Sequence, residues 1–430
     1  MSRILFLFVD GLGLGDAEAA TNPLRHPDLK LLANFLPRGW RPPEGGGRPA
    51  ALPEVLRHAP LPWDGLVRAT DASLGLPGLP QSATGQTTLL TGVNAAEAIG
   101  RHLYGYPSPT LRKILMRDSV LRQLVDRGRR AAFVNAFRPL FFELGDAVWS
   151  KGMSATTWAN RACGAPFRTL DDLLAGRAVY HDITHDSARA RGYGIPERTP
   201  EEAGAILARV GAELDFALFE FFQTDKAGHA QDAGRAAFEL VKLERFLAAV
   251  LAAVDLSRTT VIVTSDHGNV EDLGTRTHSW NPVPTLLFGE RAAGLAARVD
   301  RLEGFTPGMV AALTGEEIAG DRVRGRDMGR AAVTGGDMDG LRARVDAVHT
   351  RRKRVQGELQ RRLDLMARID AAAQQDGARD EAAEAELAAL RAAAGDAELR
   401  VELLRIKKEQ MEAEQAYYDA RGKGGAGPSE

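Results

Sequence analysis

Short apolar segments separated by longer amphipathic stretches are the feature of this 430-residue sequence that most restricts its fold. The segments are bounded by polar or turn residues, which is typical of strands buried on both faces of a sheet. Helical patterns at Leu111–Arg127, Pro200–Val210 and Ala236–Val254 lie between them. This alternation predicts an α/β fold with a mostly parallel sheet sandwiched by helices. The predicted strands are Ile4–Val9, Ala131–Asn135, Phe216–Phe222 and Thr260–Thr264, with Thr285–Phe288 as a further strand.

An aspartate stands at or just after the end of three of these strands. Asp10 follows the first strand, Asp225 follows the strand that ends at residue 222, and Asp266 follows the strand that ends at residue 264. Open α/β sheets bind their ligands at the carboxyl ends of their strands. We therefore expect the three carboxylates to meet at one edge of the sheet.

Three histidines accompany the aspartates. His229 comes four residues after Asp225, so one helical turn would put both side chains on the same face and within reach of one cation. His267 adjoins Asp266, and this pair can ligate one metal only if the backbone bends there; otherwise each residue could serve a different metal. His278 lies in a loop that leads into the last predicted strand.

These side chains offer oxygen and imidazole donors for metal ions. The chain has a single cysteine, Cys163, which excludes disulfide frameworks and thiolate metal sites. Carboxylate and imidazole donors suit Mn²⁺ or Zn²⁺, and six such residues are enough for two adjacent divalent cations. Two metals ~4 Å apart stabilise the attacking and leaving oxygens in phosphoryl transfer.

Ser82 is the predicted nucleophile. It precedes Gly85 and a helical stretch, and a helix N-terminus favours both an activated hydroxyl and a phosphate group. Metal ions can activate such a serine without a histidine base. Three further hydroxyls compete with Ser82, and the alternative interpretation of Ser82 is a helix N-cap. The competitors are Thr84, Thr87 and Thr88.

Composition limits the classes of partner. The net charge is −2, so no overall field draws the chain to nucleic acid or to an anionic membrane. The apolar run at Ile4–Val9 is too short for an export signal, and no stretch reaches the ~18 apolar residues of a membrane span. We expect a cytoplasmic protein that acts on a small phosphorylated molecule.

Four segments stand outside this core pattern. Residues 139–200 predict a small cap over the site, and residues 316–337 predict a linker after a catalytic domain at 1–315. Residues 338–420 carry apolar positions at helical spacing, which indicates a helical hairpin or coiled coil that could support self-association. A solvated helical tail without a specific partner is the alternative. Residues 421–430 are rich in Gly, Ser and Pro and predict a disordered tail.

The combined motifs resemble those of the alkaline phosphatase superfamily, in particular cofactor-independent phosphoglycerate mutases and phosphopentomutases. The similar segments are Asp-His-Gly-Asn at 266–269 followed by Glu271, His278 followed by Asn-Pro-Val-Pro, and Asp-x-x-Gly-His at 225–229. Gly75–Gly92 is similar to the mutase segment that carries the nucleophile, with Gln86 in place of a histidine. The resemblance covers roughly residues 1–315.

By that resemblance, one metal would be held by Asp225, His229 and His278. The other would be held by Asp10, Asp266 and His267, with Ser82 at the metals as the nucleophile that forms a phosphoserine. Arg101 and Lys226 lie near the motifs in sequence, and we expect them to hold oxygens of the substrate.

Three functions are consistent with these motifs. A phosphoester hydrolase is the leading hypothesis, because the mutases carry a large second domain and residues 139–200 are too few for one. A phosphomutase is the second hypothesis. A coiled-coil adaptor with a relic metal domain is the third, although all seven residues of the predicted metal site are present.

Overall fold

A computed structural model describes residues 2–43, 49, 51–55, 58–143 and 152–316, together with seven positions between 340 and 355. The chain divides into two compact units. The first contains Met1–Glu143 and Met153–Arg326, and the second contains Leu144–Gly152 and Asp327–Glu430. In the second unit, the described positions between 340 and 355 are α-helical. Most of the predicted linker (316–337), hairpin (338–420) and tail (421–430) lies outside the described residues.

The first unit is built on one six-stranded sheet in the order β2-β6-β5-β1-β4-β3. The four strands from β5 to β3 are mutually parallel, whereas β6 is antiparallel to both of its neighbours. The sheet is therefore mixed, with the predicted parallel part intact. The strands are β1 Arg3–Val9, β2 Gly65–Thr70, β3 Ala131–Phe133, β4 Phe216–Phe221, β5 Thr259–Thr264 and β6 Val283–Phe288.

Thirteen described α-helices surround or connect these strands in the first unit. They are α1 Ser82–Thr91, α2 Ala95–Ile99, α3 Pro109–Asp118, α4 Val120–Val125, α5 Pro139–Glu143, α6 Ala155–Cys163, α7 Leu170–Leu174, α8 Asp186–Arg189, α9 Pro200–Glu213, α10 Gln223–Ala230, α11 Ala233–Ala253, α12 Ala292–Ala296 and α13 Phe305–Thr314. Among the described helices, none combines the length and the apolar character needed to cross a membrane.

Helices cover both faces of the sheet, as β1 shows. Successive side chains of a strand point to opposite faces. Leu5 packs in one cluster with residues of α9 and α11, and its side chain lies 3.3 Å from the position that a Cβ on Gly211 of α9 would occupy. Phe6 points the other way, with its ring centroid 6.3 Å from that of Phe305 in α13. Burial on both faces explains why every residue of this strand after Arg3 is apolar.

Two details of the fold differ from the predictions. The helix predicted over Leu111–Arg127 is two helices, because Ser119 leaves the helical conformation, ends α3 and uses its hydroxyl to cap α4. The strand β2 lacks a continuous apolar run, since Arg68 lies within it on the exposed side, so the sequence pattern missed it. It is held by its pairing with β6.

Within the predicted cap, helix α6 belongs with the layer around the sheet. Asn160 of α6 accepts a hydrogen bond from the backbone N–H of Phe133 in β3, at 3.0 Å. The residues beyond α6 form a small apolar cluster of their own, which includes Tyr180. The boundaries of a cap at 139–200 stay a prediction.

Candidate metal centre and nucleophile

The chain turns sharply at the end of β1 and thereby places Asp10 at the carboxyl edge of the sheet. The Asp10 backbone N–H donates to the Phe221 carbonyl at 2.9 Å, which continues the pairing with β4. Gly11 follows with φ of +70°, and a Cβ there would lie 2.9 Å from the Cα and Cβ of Asp225. Only glycine allows this turn and this close approach together.

Asp225, His229 and His278 form the first group of side chains that could hold a metal ion. Asp225 and His229 lie one turn apart on α10, as predicted, with 3.4 Å between Asp225 Oδ1 and His229 Nε2. His278 Nε2 lies 3.6 Å from Asp225 Oδ1 and 3.2 Å from His229 Nε2. The three donor atoms therefore converge on one point.

Backbone carbonyls lie within hydrogen-bond distance of Nδ1 of both imidazoles in this group. His278 Nδ1 lies 2.7 Å from the Pro80 carbonyl, and His229 Nδ1 lies 2.8 Å from the Arg276 carbonyl. A carbonyl accepts a hydrogen bond from Nδ1–H, so Nε2 of each ring keeps its lone pair and faces the convergence point. This arrangement is the usual support of a metal-binding histidine.

Asp10, Asp266 and His267 form the second group. His267 Nε2 lies 3.3 Å from Asp10 Oδ1 and 3.4 Å from Asp266 Oδ2. Asp225 is also within 4.8 Å of the ligand atoms of Asp10 and His267, so this carboxylate lies between the two groups. Asp266 and His267 lie close to each other where the backbone bends after β5, and whether they hold one metal or two stays a prediction.

Burial of these charges perturbs their proton equilibria. Burial and the neighbouring Asp266 and Asp225 raise the pKa of Asp10 to about 8. Burial alone would lower the pKa of His267, but the carboxylates of Asp266, Asp10 and Asp225 outweigh it and raise that pKa to about 10. Burial and the nearby His267 lower the pKa of His278 to about 3. The carboxylates of Asp10, Asp225 and Asp266 lie close enough to repel one another, and a cation bound among them would remove that repulsion.

The donor set fits divalent metal ions. Asp10 Oδ1 and Asp266 Oδ2 are buried and, among the described residues, have no hydrogen-bond donor apart from the nearby ring of His267. Buried carboxylate oxygens in proteins are normally hydrogen-bonded or bound to metal. Both oxygens face Nε2 of His267, and a cation bound between them would satisfy both.

Ser82 lies at the second group. It is the first residue of α1, and its Oγ is 2.9 Å from His267 Nε2. The N-cap residue is Gln81, so the N-cap interpretation of Ser82 is wrong. The competing hydroxyls are buried and donate to backbone carbonyls: Thr84 to Gln81, Thr87 to Ala83 and Thr88 to Thr84, at 3.1, 2.6 and 2.8 Å. Ser82 is thus the hydroxyl of this helix start that faces the metal-binding residues.

The two predicted substrate residues lie in different settings. Lys226 is on α10 next to Asp225, with its side chain exposed and its Nζ 4.3 Å from the centroid of the Phe222 ring. Arg101 is half-buried in the turn after α2, where its backbone N–H donates to the Ala96 carbonyl at 2.9 Å. The structure therefore places Lys226 beside the metal-binding residues.

Two residues that support Asp225 and Asp10 were not predicted as part of the site. Asn269 donates to Asp225 Oδ1 at 2.7 Å, and Gln86 donates to Asp10 Oδ2 at 3.2 Å. Both are amides in motifs that the sequence analysis quoted, but an amide side chain has no spacing rule that would reveal its partner. Their effect is to orient carboxylates that would otherwise rotate.

Glu271 connects three loops around the site and is buried. Its Oε2 accepts from the backbone N–H groups of Gly13 and Asn269, both at 2.8 Å. Its Oε1 accepts from the Ser279 hydroxyl and from the Asn281 amide. Gly13, Asn269 and Ser279 lie near Asp10, His267 and His278 in sequence, so one carboxylate sets the positions of metal ligands from separate segments.

We expect Glu271→Ala to weaken metal binding by about 10–100-fold, the usual cost of losing a residue that orients metal ligands. Isothermal titration of the metal into the purified chain would measure it. Glu97→Ala removes an exposed glutamate on α2 and is the matched control. Equal affinities in both variants would contradict a positioning role for Glu271.

Gly85 lets α1 pack directly against the loop that carries Asp266. A Cβ on Gly85 would lie 2.8 Å from the Asp266 carbonyl oxygen, which is closer than real contacts allow. We expect Gly85→Ala to destabilise the fold by about 1–3 kcal/mol and to displace Ser82. Thermal unfolding and turnover would measure the two effects.

Gly294 provides the control for Gly85. It lies within α12, and a Cβ on it would have open space around it. Gly294→Ala should leave the stability unchanged or raise it by up to about 1 kcal/mol, since alanine favours a helix. A stability loss of the same size in both variants would show that crowding at Asp266 is not the cause.

Comparison with known proteins agrees with this geometry. Residues 197–312 match the family model described as the Metalloenzyme superfamily. The chain is 33% identical over 113 residues to the 2,3-bisphosphoglycerate-independent phosphoglycerate mutase of Dinoroseobacter shibae, covering 24% of this chain and 22% of that protein. It is 32% identical over 119 residues to the same enzyme of Ruegeria pomeroyi, covering 26% and 23%. The alignments thus span less than a quarter of either relative.

Solved structures with a detectable likeness include an alkaline phosphatase and a phosphoglycerate mutase. Alkaline phosphatase from the Antarctic bacterium TAB5 has a TM-score of 0.40 at 14% identity, covering 73% of this chain and 98% of that one. Phosphoglycerate mutase of Leishmania mexicana has a TM-score of 0.31 at 19% identity, covering 47% and 38%.

The family match includes Asp225, His229 and His278, which form the first metal-binding group, and Asp266 and His267, which belong to the second. Together with the mutase relatives, the match shows that this part of the chain is similar to the Metalloenzyme superfamily and to 2,3-bisphosphoglycerate-independent phosphoglycerate mutases.

Proposed function

We propose that this chain is a metal-dependent phosphoester hydrolase that works through a phosphoserine at Ser82. The observation that carries the proposal is the position of the Ser82 hydroxyl, 2.9 Å from His267 Nε2 and at the N-terminus of α1. A phosphate bound there would face the N–H groups at the start of α1.

Two divalent ions, Mn²⁺ or Zn²⁺, fit the two groups of ligands. Asp225, His229 and His278 would hold one, and Asp10, Asp266 and His267 would hold the other. When bound, such ions lower the pKa of a nearby hydroxyl and neutralise charge on the phosphoryl oxygens. The central position of Asp225 supports a pair of sites close to each other.

Ser82 is suited to both halves of a hydrolysis. In the first, its Oγ forms a bond to phosphorus as it gives up its proton, the bond from phosphorus to the ester oxygen breaks, and the leaving alcohol takes a proton. In the second, water attacks the phosphoserine, the bond from phosphorus to Oγ breaks, and Ser82 recovers a proton as inorganic phosphate leaves. The α1 backbone N–H groups orient the phosphoryl group throughout.

A phosphomutase is the second candidate, because the relatives bear that name. A mutase must keep the phosphoryl group and return it to the substrate. The residues between α1 and α10 include α3, α4 and β3, which belong to the layers of the core, so little chain is left for a closing domain. This favours transfer to water.

The test is turnover of an aryl phosphomonoester and the matching diester by the full chain with added Mn²⁺ or Zn²⁺. We expect metal-dependent release of the phenol from one of them, and Ser82→Ala should abolish it. If metals bind but neither ester reacts, the hydrolase proposal fails. Incubation with 3-phosphoglycerate in ¹⁸O-water then identifies a mutase by the appearance of 2-phosphoglycerate without labelled phosphate.

A further inference from the structure

The start of helix α10 lacks the usual side-chain cap. Its N-cap residue, Phe222, has no side-chain oxygen to accept a hydrogen bond from the first turn. The helix has eight residues, and a helix this short needs tertiary contacts to keep its position. Asp225 is the third residue of α10, so the position of this candidate metal ligand depends on the contacts that hold the first turn.

His181 contacts two consecutive residues at this helix start. Its ring stacks on the Phe222 ring, with 4.7 Å between the centroids and 26° between the planes. Its Nδ1 lies 3.2 Å from the Gln223 amide nitrogen, which can only donate, so Nδ1 accepts and the ring proton is on Nε2. The next residue, Thr224, donates its hydroxyl to the Asp10 carbonyl at 2.6 Å. Three consecutive residues of the helix start are therefore held by other segments, two of them by His181.

Buried hydrogen bonds fix the segment that follows His181. The Asp182 carboxylate accepts from the backbone N–H groups of His185 and Ser187, at 2.9 and 2.7 Å. His185 Nδ1 lies 2.8 Å from the Pro196 carbonyl. Asp182 and His185 are both buried. The backbone next to His181 is thus held in one conformation before it meets α10.

The same segment contains two residues in a strained backbone conformation. Ile183 and His185 have φ of +70° and +71°, in the left-handed region that favours glycine. The side chain of Ile183 branches at Cβ and is buried, which makes this conformation a rare one for it. Such strain persists only where the surrounding structure determines it, and strained residues cluster at functional sites. The strain indicates a function for this segment, and its contact with α10 supplies one.

We propose that His181 is a positioning residue that fixes the first turn of α10 and, through it, Asp225. It acts by accepting the hydrogen bond from Gln223 and by stacking on Phe222. This rests on the proposed function, since Asp225 matters as a ligand of the metal centre. His181 itself touches neither the metal nor the substrate in this role.

Three variants of the full chain separate the two contacts of His181. His181→Ala removes both, His181→Phe keeps a stacked ring without the acceptor, and His181→Asn keeps an acceptor near the position of Nδ1 without the ring. We expect His181→Ala to weaken Mn²⁺ binding about tenfold, the lower end of the effect of losing a group that orients a metal ligand. The other two variants should each weaken it by about threefold. Isothermal titration would measure the affinities.

Hydrogen exchange tests the helix start without metal and without turnover. The backbone N–H groups of residues 226–229 bond to the carbonyls of the first turn, as Lys226 does to Phe222. In His181→Ala they should exchange about tenfold faster than in the wild type, because the first turn opens more often. Mass spectrometry of peptides from the metal-free full chain would measure the rates.

Val210→Ala is the control for a loss of stability alone. Val210 is buried in α9, and its truncation should lower Tm. Its Mn²⁺ affinity and the exchange of residues 226–229 should equal those of the wild type, because the contacts of His181 are intact. A residue that only stabilised the fold would behave like Val210 in both measurements.

Several results would overturn the role of His181. These are unchanged affinity and exchange in His181→Ala, or changes no larger than those in Val210→Ala. If His181→Ala does not fold, wild-type affinity in both His181→Phe and His181→Asn has the same meaning. A wild-type chain that binds no Mn²⁺ would overturn the metal centre and this role with it.

The outcome is separable from the proposed hydrolysis, because neither measurement needs turnover. Weaker Mn²⁺ binding and faster exchange in a chain that hydrolyses no ester would sink only the hydrolase. Ester hydrolysis by a chain in which His181→Ala changes neither quantity would sink only the positioning role.

Discussion

Ser82→Ala should lower turnover of the reactive phosphoester by at least about 10⁴-fold, because it removes the atom that bonds to phosphorus. The other hydroxyls of α1 cannot replace it, since each is buried and donates to a backbone carbonyl. Metal affinity should change far less, because six carboxylate and imidazole side chains remain. Steady-state kinetics and metal titration on the same preparation would measure both quantities.

Ser108→Ala is the matched control for Ser82. Ser108 is also a serine at a helix start, where it caps α3 through the backbone N–H of Leu111. Its loss should cost about 1 kcal/mol of stability and leave turnover unchanged. Ser82→Ala with more than a tenth of the wild-type activity would show that water, not Ser82, attacks the phosphorus.

Asp225→Ala should produce the largest loss of metal binding of any single ligand. Asp225 Oδ1 lies 3.4 Å from His229 Nε2 and 3.6 Å from His278 Nε2, and the same side chain is within reach of Asp10 and His267. We expect binding of the metal to weaken by more than about 100-fold, beyond the cost of losing an orienting residue. The rise in Tm on adding metal should disappear with it.

Asp232→Asn is the control for Asp225. Asp232 is an exposed aspartate that caps α11, and asparagine caps equally well. Its metal affinity and metal-induced rise in Tm should equal those of the wild type. If Asp225→Ala also kept the full rise in Tm, the metal would bind elsewhere in the chain.

The parallel part of the sheet was predictable because each strand carries its own signal. β1, β4 and β5 are buried on both faces and are therefore mostly apolar, although β4 includes the buried Glu220. β2 was missed because Arg68 is exposed within it, and its pairing with β6 joins segments more than two hundred residues apart. The break at Ser119 was missed because the helical spacing of apolar residues continues through it.

The sequence predicts those residues of the candidate site that belong to local motifs. Asp225 and His229 lie on the same face because they are one helical turn apart. Asp10 and Asp266 lie at the site because each follows the end of a strand. Glu271 was quoted as part of a motif, but its role depends on partners near residues 13 and 281 that no spacing connects.

For this chain, the sequence determines which residues are candidates for the site, and the tertiary structure determines how they are arranged. The candidate metal ligands and the candidate nucleophile can be named from the sequence, because strand ends and helical turns are short-range geometry. Their arrangement into two groups that share Asp225 was decided by the tertiary structure, as was the meeting of His181, Phe222 and Lys226. These contacts join distant segments, and only packing of the sheet and its helices determines which distant segments meet.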